Sequence, residues 1–336
     1  MAIPEYAPVH KIAIESREIC NEPCGFCFAT FQTPADVVAE ALQRTPDLDV
    51  HSTLTTEELK RNVIDPFREM GGVMVHFTGG DPFLRKDLPE LVDYADDKGL
   101  LVSLDTNCLI VTQPQNAELY RRVIPKLYRV GIPLDAPDES LQIQMRGHRR
   151  SYQAPLRFLE IAQELAPTVP KFPEIKVNTL LTAKNYQRVP EMVDLLEPYI
   201  RSGLVGRWSL DKFLPMERGS ANRSAYQLDD ANYQQTVSAV RGKLTEKGLP
   251  DIITGDQDKT NITLLVSPQG FVYVPSGNEK HFVPNSLRNT PLREVINSSI
   301  LASRERQYRG TLGGTRGKHT YRHPEWEAKI VSFPRK

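Results

Sequence analysis

Six short runs of β-branched and aliphatic residues, each followed by a helical pattern, constrain the fold of this chain more than any other feature. They are "KIAI" (11–14), "GVMVHFTGG" (72–80), "LLVSLDTN" (100–107), "KLYRVGIPLDAP" (126–137), "EIKVNTLLT" (174–182) and "GRWSLDKFLP" (206–215). Parallel strands cannot be joined by tight turns, so each pair needs a crossover, usually a helix. The intervening segments carry helix signals. Thr55 with Glu58 predicts a capping box ahead of "EELKRNVIDPFREM", with Gly71 as the stop and Pro66 as a kink or an early end. Asp87 is the predicted cap of "LPELVDYADDKG", with Pro89 near the first turn and Gly99 at the end. "YQAPLRFLEIAQEL" and "VPEMVDLLEPYIRSG" have the apolar spacing of helices lying on a sheet. The pattern predicts an α/β fold of parallel βα units, open or closed into a partial barrel. In such folds the site lies at the carboxyl ends of the strands, and every motif below follows one of these runs.

The pattern changes near residue 216. "MERGSANRSAYQLDDANYQQ" is polar and irregular, and a helix then runs to Gly248. "TNITLLVSPQGFVYVPSG" (260–277) predicts a hairpin turning at Pro268-Gln269-Gly270, and the glycine- and base-rich end predicts loop. The expected division is residues 1–215 and 216–336. Lys plus Arg equals Asp plus Glu at 42 each, so no charge excess points to nucleic acid or a membrane surface. No bilayer-length apolar run or signal-peptide core is present, and cysteine is scarce, which predicts a reducing, cytoplasmic setting.

Three of the four cysteines, Cys20, Cys24 and Cys27, fall in one stretch, "EICNEPCGFCFATF". Three thiols cannot pair off as disulfides. A structural zinc usually takes two Cys-x-x-Cys-like pairs, or cysteines plus nearby histidines, and neither lies close to this loop. Cys-x3-Cys-x2-Cys lets a short loop ligate three irons of a cubane and leaves the fourth open. Three unrelated cysteines, or a zinc completed by a distant ligand, are the alternatives.

"CNEPCGFC", with Phe26 before the last cysteine and the loop after the first predicted strand, resembles the signature of the radical S-adenosylmethionine (SAM) superfamily. The resemblance implies a partial (β/α)6 barrel, one [4Fe–4S] cluster on Cys20, Cys24 and Cys27, and SAM chelated at the open iron. One electron would then release a 5′-deoxyadenosyl radical. "HFTGGDPFLR" resembles the family's Gly-Gly-Glu-Pro element, with Asp81 in place of the commoner Glu. Gly79 and Gly80, lacking side chains, let backbone carbonyls approach a ligand ammonium. "LDTNC" places Thr106 where relatives carry Thr-Asn-Gly. Arg146 of "MRGHRRSY" corresponds to an arginine that often meets the SAM carboxylate. Asn178 of "KVNTLL" stands where relatives hold the SAM ribose. His148, Arg149 and Arg150 form either a solvated basic turn or a substrate anion site. Cys108, the fourth thiol, is either a buried small hydrophobe or a hydrogen-atom donor facing the SAM pocket.

The last third resembles the SPASM-type auxiliary domain, stripped of its cysteines. The hairpin has Pro275 and Ser276, and the tail reads Leu312-Gly313-Gly314-Thr315-Arg316. A smaller α+β extension without a second cluster is therefore expected, covering the barrel mouth and shaping the substrate pocket. Without that cluster, chemistry of little net oxidation is expected: decarboxylation, epimerisation, elimination or rearrangement. The short stretch before Cys20 argues against a leader-guided peptide. The expected substrate is a small anionic metabolite of sugar, nucleoside or nucleotide type, with a flavodoxin or ferredoxin as electron donor. A viperin-like nucleotide dehydratase, a peptide-modifying enzyme and a non-catalytic iron–sulfur or zinc protein are the alternatives.

Overall fold

The computed structural model describes residues 11–27, 33–110, 113–255, 263–276 and 279–296. Its strands are β1 (Lys11–Glu15), β2 (Met74–Thr78), β3 (Leu101–Asp105), β4 (Arg129–Pro133), β5 (Glu174–Leu181), β6 (Val205–Lys212), β7 (Ile253–Gly255), β8 (Thr263–Val266), β9 (Phe271–Ser276) and β10 (Glu279–Ser286). All ten join one sheet in the order β10-β9-β8-β1-β2-β3-β4-β5-β6-β7. The six expected runs give β1 to β6, which pair in sequence order and in parallel. Val75, Phe77, Val102, Leu104, Val130, Ile132, Ile175 and Val177 alternate on these strands and are fully buried in one core beneath the crossover helices. Burial of such side chains is the main term holding the layers together, at about 1.5–3 kcal/mol each.

Residues after 215, expected as a smaller unit, extend the same sheet from both sides. Strand β7 adds to β6 in parallel. Strand β8 lies parallel to β1 at the other side, with Leu264 opposite Ile12 and Val266 opposite Ile14. The predicted hairpin turn is present: β8 and β9 are antiparallel, and Gly270 has φ +91° at the turn. The tail residues 312–316 lie outside the described residues.

Local signals hold at Thr55 and depart from expectation at Pro66 and Asp87. Thr55 Oγ1 accepts from the Glu58 N–H at 3.2 Å and the Glu58 carboxylate accepts from the Thr55 N–H at 2.7 Å, completing the capping box. Pro66 does not end the helix that follows. Leu59–Ile64 widens into a π-helical turn and the α-helix Asp65–Glu69 resumes around the proline. A π-turn absorbs the missing N–H without a break. Asp87 precedes the helix Leu88–Asp97 but does not cap it. Its carboxylate accepts from Arg85 at 2.8 Å and from the Thr56 hydroxyl instead. A buried guanidinium is the stronger partner for a carboxylate than a free helix N–H.

Candidate active site

The cysteine loop leaves β1 and is pinned at once to the turn after β2. The Ser16 N–H donates to the Thr78 carbonyl at 2.6 Å and the Arg17 N–H to the Gly79 carbonyl at 3.3 Å. Gly79 and Gly80 have φ +70° and +60°, and a Cβ on either would sit 2.4 Å from Glu15 Cβ or 2.2 Å from the Ile19 carbonyl oxygen. Only glycine fits there. Further on, the Gly219 N–H donates to the Cys27 carbonyl at 3.1 Å, and the Asn222 amide donates to the Gly25 carbonyl at 2.9 Å. Held from both sides, the loop turns Cys20, Cys24 and Cys27 into one cavity of about 480 Å³.

The thiols are free. Burial pushes Cys20 up to about 11 and Cys24 higher still, the Arg146 charge only partly opposing it at Cys24. Ligation of iron must therefore displace these protons. Among the described residues no three His, Cys, Asp or Glu side chains converge tightly enough for a single metal ion. In a polynuclear cluster each iron is reached by one thiol, so three separate thiols on one cavity can serve it. Two further cavity residues fit a polar ligand next to such a cluster. Glu22 Oε1 and Asn178 Oδ1 are buried and lack a hydrogen-bond partner. A buried acceptor left open is costly unless something polar fills it.

Arg146 ends the helix Glu139–Arg146, which Gly147 stops in left-handed conformation. Its Nε donates to Asp135 Oδ2 at 2.6 Å and its Nη1 to Glu22 Oε2 at 2.7 Å. The guanidinium also lies 5.5 Å from the Phe26 ring centroid. Burial works against its charge, but Asp135 and Glu22 outweigh burial and hold it fully protonated. Arg146 thus ties the cysteine loop to β4, and Asp135 Oδ1 in turn accepts from the Leu180 N–H at 2.7 Å, adding β5. The residue singled out for a ligand carboxylate already carries two protein carboxylates.

Asp81 does not reach the cavity. It is fully buried; Oδ1 accepts from the Phe83 N–H at 2.9 Å, and Oδ2 accepts from the Thr106 hydroxyl and the Asn107 N–H at 2.7 Å each. Its shorter carboxylate stays behind the Gly-Gly turn and staples it to the turn after β3. Burial pushes this carboxyl up to about 6 despite those donors. Thr106 lines the cavity, and Asn107 beside it donates to Asn21 Oδ1 at 2.6 Å and towards Cys20 Sγ at 3.5 Å. Cys108 is 0% exposed, is packed in the main core and does not line the cavity. Its φ of +64° explains why glycine suits this position and turns its thiol back toward the Thr106 carbonyl. Of the two readings of Cys108, the geometry matches the buried small hydrophobe and not the hydrogen donor facing the cavity.

His148, Arg149 and Arg150 also lie outside the cavity, because Gly147 turns the chain away behind Pro23. The cations that line it besides Arg146 are Lys212 and Lys280, neither singled out from the sequence. Lys280 lies 3.2 Å from Glu217 Oε1 and 5.2 Å from the ring centroid of Tyr273, whose hydroxyl donates to buried Glu15 at 2.7 Å. Glu217 holds φ +48°, a conformation uncommon for a residue with a side chain. On the floor, Gly131 leaves room for its neighbours: a Cβ there would sit 1.9 Å from Asp105 Oδ1 and 2.7 Å from Asn178 Nδ2. Asp105 accepts from His76 Nε2 at 3.3 Å, while His76 Nδ1 meets the Ser103 hydroxyl at 2.9 Å. Burial pushes Asp105 up, but His76 and two lysines outweigh it and keep it ionised. Burial lowers His76, with Lys11 acting in the same direction, and Asp105 opposes them.

Of the sequence-predicted residues, then, Cys20, Cys24, Cys27, Phe26, Gly79, Gly80, Thr106, Arg146 and Asn178 share this cavity. Glu22, Asn107 and Asp105 were missed although each stands within a quoted motif, and Asp135, in the run 126–137, was given no role. Tyr273 and Lys280 carried no local signal, because the hairpin reaches the cavity only through the β8–β1 pairing.

Comparison with known proteins agrees with this geometry. The Radical SAM superfamily model matches residues 14–196. A PqqA peptide cyclase of Bradyrhizobium diazoefficiens is 30% identical over 177 residues, covering 49% of this chain and 44% of that protein. An S-adenosylmethionine-dependent nucleotide dehydratase of Pseudoalteromonas ulvae is 22% identical over 269 residues, covering 77% and 79%. The chain spans about half the length of the first of these relatives. The crystal structure of Streptococcus suis SuiB bound to S-adenosylmethionine superposes with a TM-score of 0.61 at 14% identity, over 93% of this chain and 67% of that one, a likeness of fold. With a family match over more than half of its length, on a parallel α/β sheet whose first loop brings three thiols to one cavity, the chain belongs to the radical SAM superfamily, whose enzymes use a [4Fe–4S] cluster and SAM.

Proposed function

We propose that the protein is a cytoplasmic radical SAM enzyme acting on a small anionic metabolite, a nucleotide before a sugar or a nucleoside, with a largely redox-neutral outcome such as dehydration, decarboxylation or epimerisation. Cys20, Cys24 and Cys27 would hold the cluster. Gly79, Gly80, Thr106, Asn178 and the Arg146 network would hold SAM beside it. When bound, this pair of cofactors supplies one-electron cleavage of the SAM sulfonium and a 5′-deoxyadenosyl radical for hydrogen-atom abstraction.

The chain's own residues exclude water and orient the substrate. Leu180, Phe213, Leu214 and Met216 form an apolar wall, and Asp105, Asp211, Lys212, Tyr273 and Lys280 carry polar groups on the cavity lining. The observation that carries the substrate reading is the pair of lysines: Lys212 and Lys280 reach the lining from opposite sides of the sheet. Each lysine already meets one carboxylate, Lys212 that of Asp230 and Lys280 that of Glu217 at 3.2 Å, and a substrate phosphate or carboxylate would join them as a further anionic partner. The breadth of the similarity to the nucleotide dehydratase supports a nucleotide first. No cysteine follows Cys108, so a cysteine-ligated second cluster has no ligands here, which supports a redox-neutral reaction. A flavodoxin or ferredoxin is the proposed electron source, and the region after residue 215 is proposed as a SPASM-derived cover.

The test is a panel of ribonucleoside triphosphates, sugar phosphates and nucleosides added to reconstituted enzyme with SAM and dithionite. A nucleotide is expected to raise 5′-deoxyadenosine release at least tenfold, and Lys280→Met to raise its KM. Acceleration by uncharged nucleosides alone, unaffected by Lys280→Met, would contradict the reading.

A further inference from the structure

The outer face of the cysteine loop, turned away from the cavity, is ringed by cations that no carboxylate neutralises. The exposed Arg218 directs Nη1 at the Cys24 carbonyl, 3.5 Å away. The exposed Arg223 follows Asn222, whose amide binds the Gly25 carbonyl at 2.9 Å. The exposed Lys184 holds Nζ 4.2 Å from the centroid of the Tyr226 ring, and a Cβ on Gly25 would lie 2.9 Å from the Tyr226 hydroxyl. The exposed Arg149 comes two residues after Gly147, where a Cβ would lie 3.2 Å from Pro23 Cγ. None of the four lines the cavity, and none forms an ion pair among the described residues. The loop's own carboxylate, Glu22, is buried on the cavity side, where its Oε2 pairs with Arg146. The chain as a whole is neutral, so this rim is a local asymmetry and not a reflection of composition.

Resting on the functional reading above, we propose that the rim of Arg149, Lys184, Arg218 and Arg223 around Pro23–Gly25 is the docking surface for an acidic one-electron carrier protein of the flavodoxin or ferredoxin class. An electron must enter from outside while the inner face is filled by SAM and substrate, and the outer face of this loop is the short way in. Uncompensated cations there steer an acidic partner and set its orientation, the usual device of transient redox encounters with small interfaces. The carrier is oxidised by one electron and the protein-bound cluster reduced by one; no bond is made or broken at the surface.

The test uses reconstituted protein and an acidic flavodoxin, reading affinity, reduction rate of the cluster chromophore and iron content on the same samples. Affinity is expected to fall about tenfold or more between about 0.05 M and about 0.3 M NaCl. Lys184→Glu/Arg223→Glu should weaken binding about tenfold and slow flavodoxin-driven reduction to match, with dithionite-driven reduction unchanged; Arg149→Glu should add to the loss. Unchanged affinity in the charge-reversed protein, with its iron and visible absorbance intact, overturns the surface and leaves the enzyme reading standing. Equal slowing with dithionite overturns it by showing a damaged cluster instead of a lost partner. Capture of a short duplex DNA as tightly as flavodoxin overturns it in favour of a general polyanion site. A wild-type protein that forms no cluster removes the functional reading and the docking surface together.

Discussion

At the scale of single residues, Asp81 shows how a motif position can keep its place and change its task. Its carboxylate accepts from three donors of the chain and joins the Gly-Gly turn to the turn after β3. Burial sets its folded value near 6, above the unfolded carboxylate range. The stability carried by its protonated form is therefore complete below about pH 4 and is lost as pH rises through 6. Between about pH 5 and about pH 7.5 the wild type is expected to lose about 1 kcal/mol relative to Asp81→Asn, read by urea denaturation across that window. A difference that stays flat with pH would show that Asp81 is ionised throughout. Arg146 follows the same logic in a charged form. Glu22, a residue inside the cysteine motif itself, is what binds it to the loop. Nothing in the spacing of cysteines announces that pairing, because it forms only when the helix Glu139–Arg146 is folded against β4.

At the scale of elements, the strands were legible because each combines a β-rich run with a helical segment behind it. The capping box at Thr55 was equally legible, since its two partners are local. Asp87 was not, because a cap competes with tertiary partners, here Arg85 and Thr56. The adjacency of β8 to β1 was hidden for a related reason: edge pairing depends on the exposed flank of a strand more than 200 residues earlier in the chain. It is this pairing that carries Tyr273 and Lys280 into the cavity. Between β3, β4 and β5, Gly131 is the one position where a side chain is excluded by two polar neighbours at once. Gly131→Ala is expected to cost about 1–3 kcal/mol and to weaken SAM binding, because Asp105 and Asn178 must both move. Denaturant midpoints and equilibrium binding of SAM check it; an alanine variant that binds SAM as the wild type does would show that this floor is not under constraint.

At the scale of the whole molecule, one sheet of ten strands brings residues from both ends of the described chain to a single cavity. The three thiols stand at one end of it, polar groups of β3 to β6 form its floor, and the hairpin β8–β9 with β10 closes the side next to β1. The class of chemistry was legible in eight residues because ligand spacing in a loop is a local property. The substrate was not, since the cavity lining comes from four or more distant segments that only the folded sheet assembles. The central claim is that the cavity is built around a cluster on Cys20, Cys24 and Cys27. Anaerobic reconstitution with iron and sulfide, followed by SAM and dithionite, tests it most directly by following 5′-deoxyadenosine in the wild type and in Cys24→Ala. The account predicts iron-loaded wild-type protein that releases 5′-deoxyadenosine and a Cys24→Ala variant that releases none; a protein that takes up zinc in place of a cluster, or a variant as active as the wild type, would contradict it.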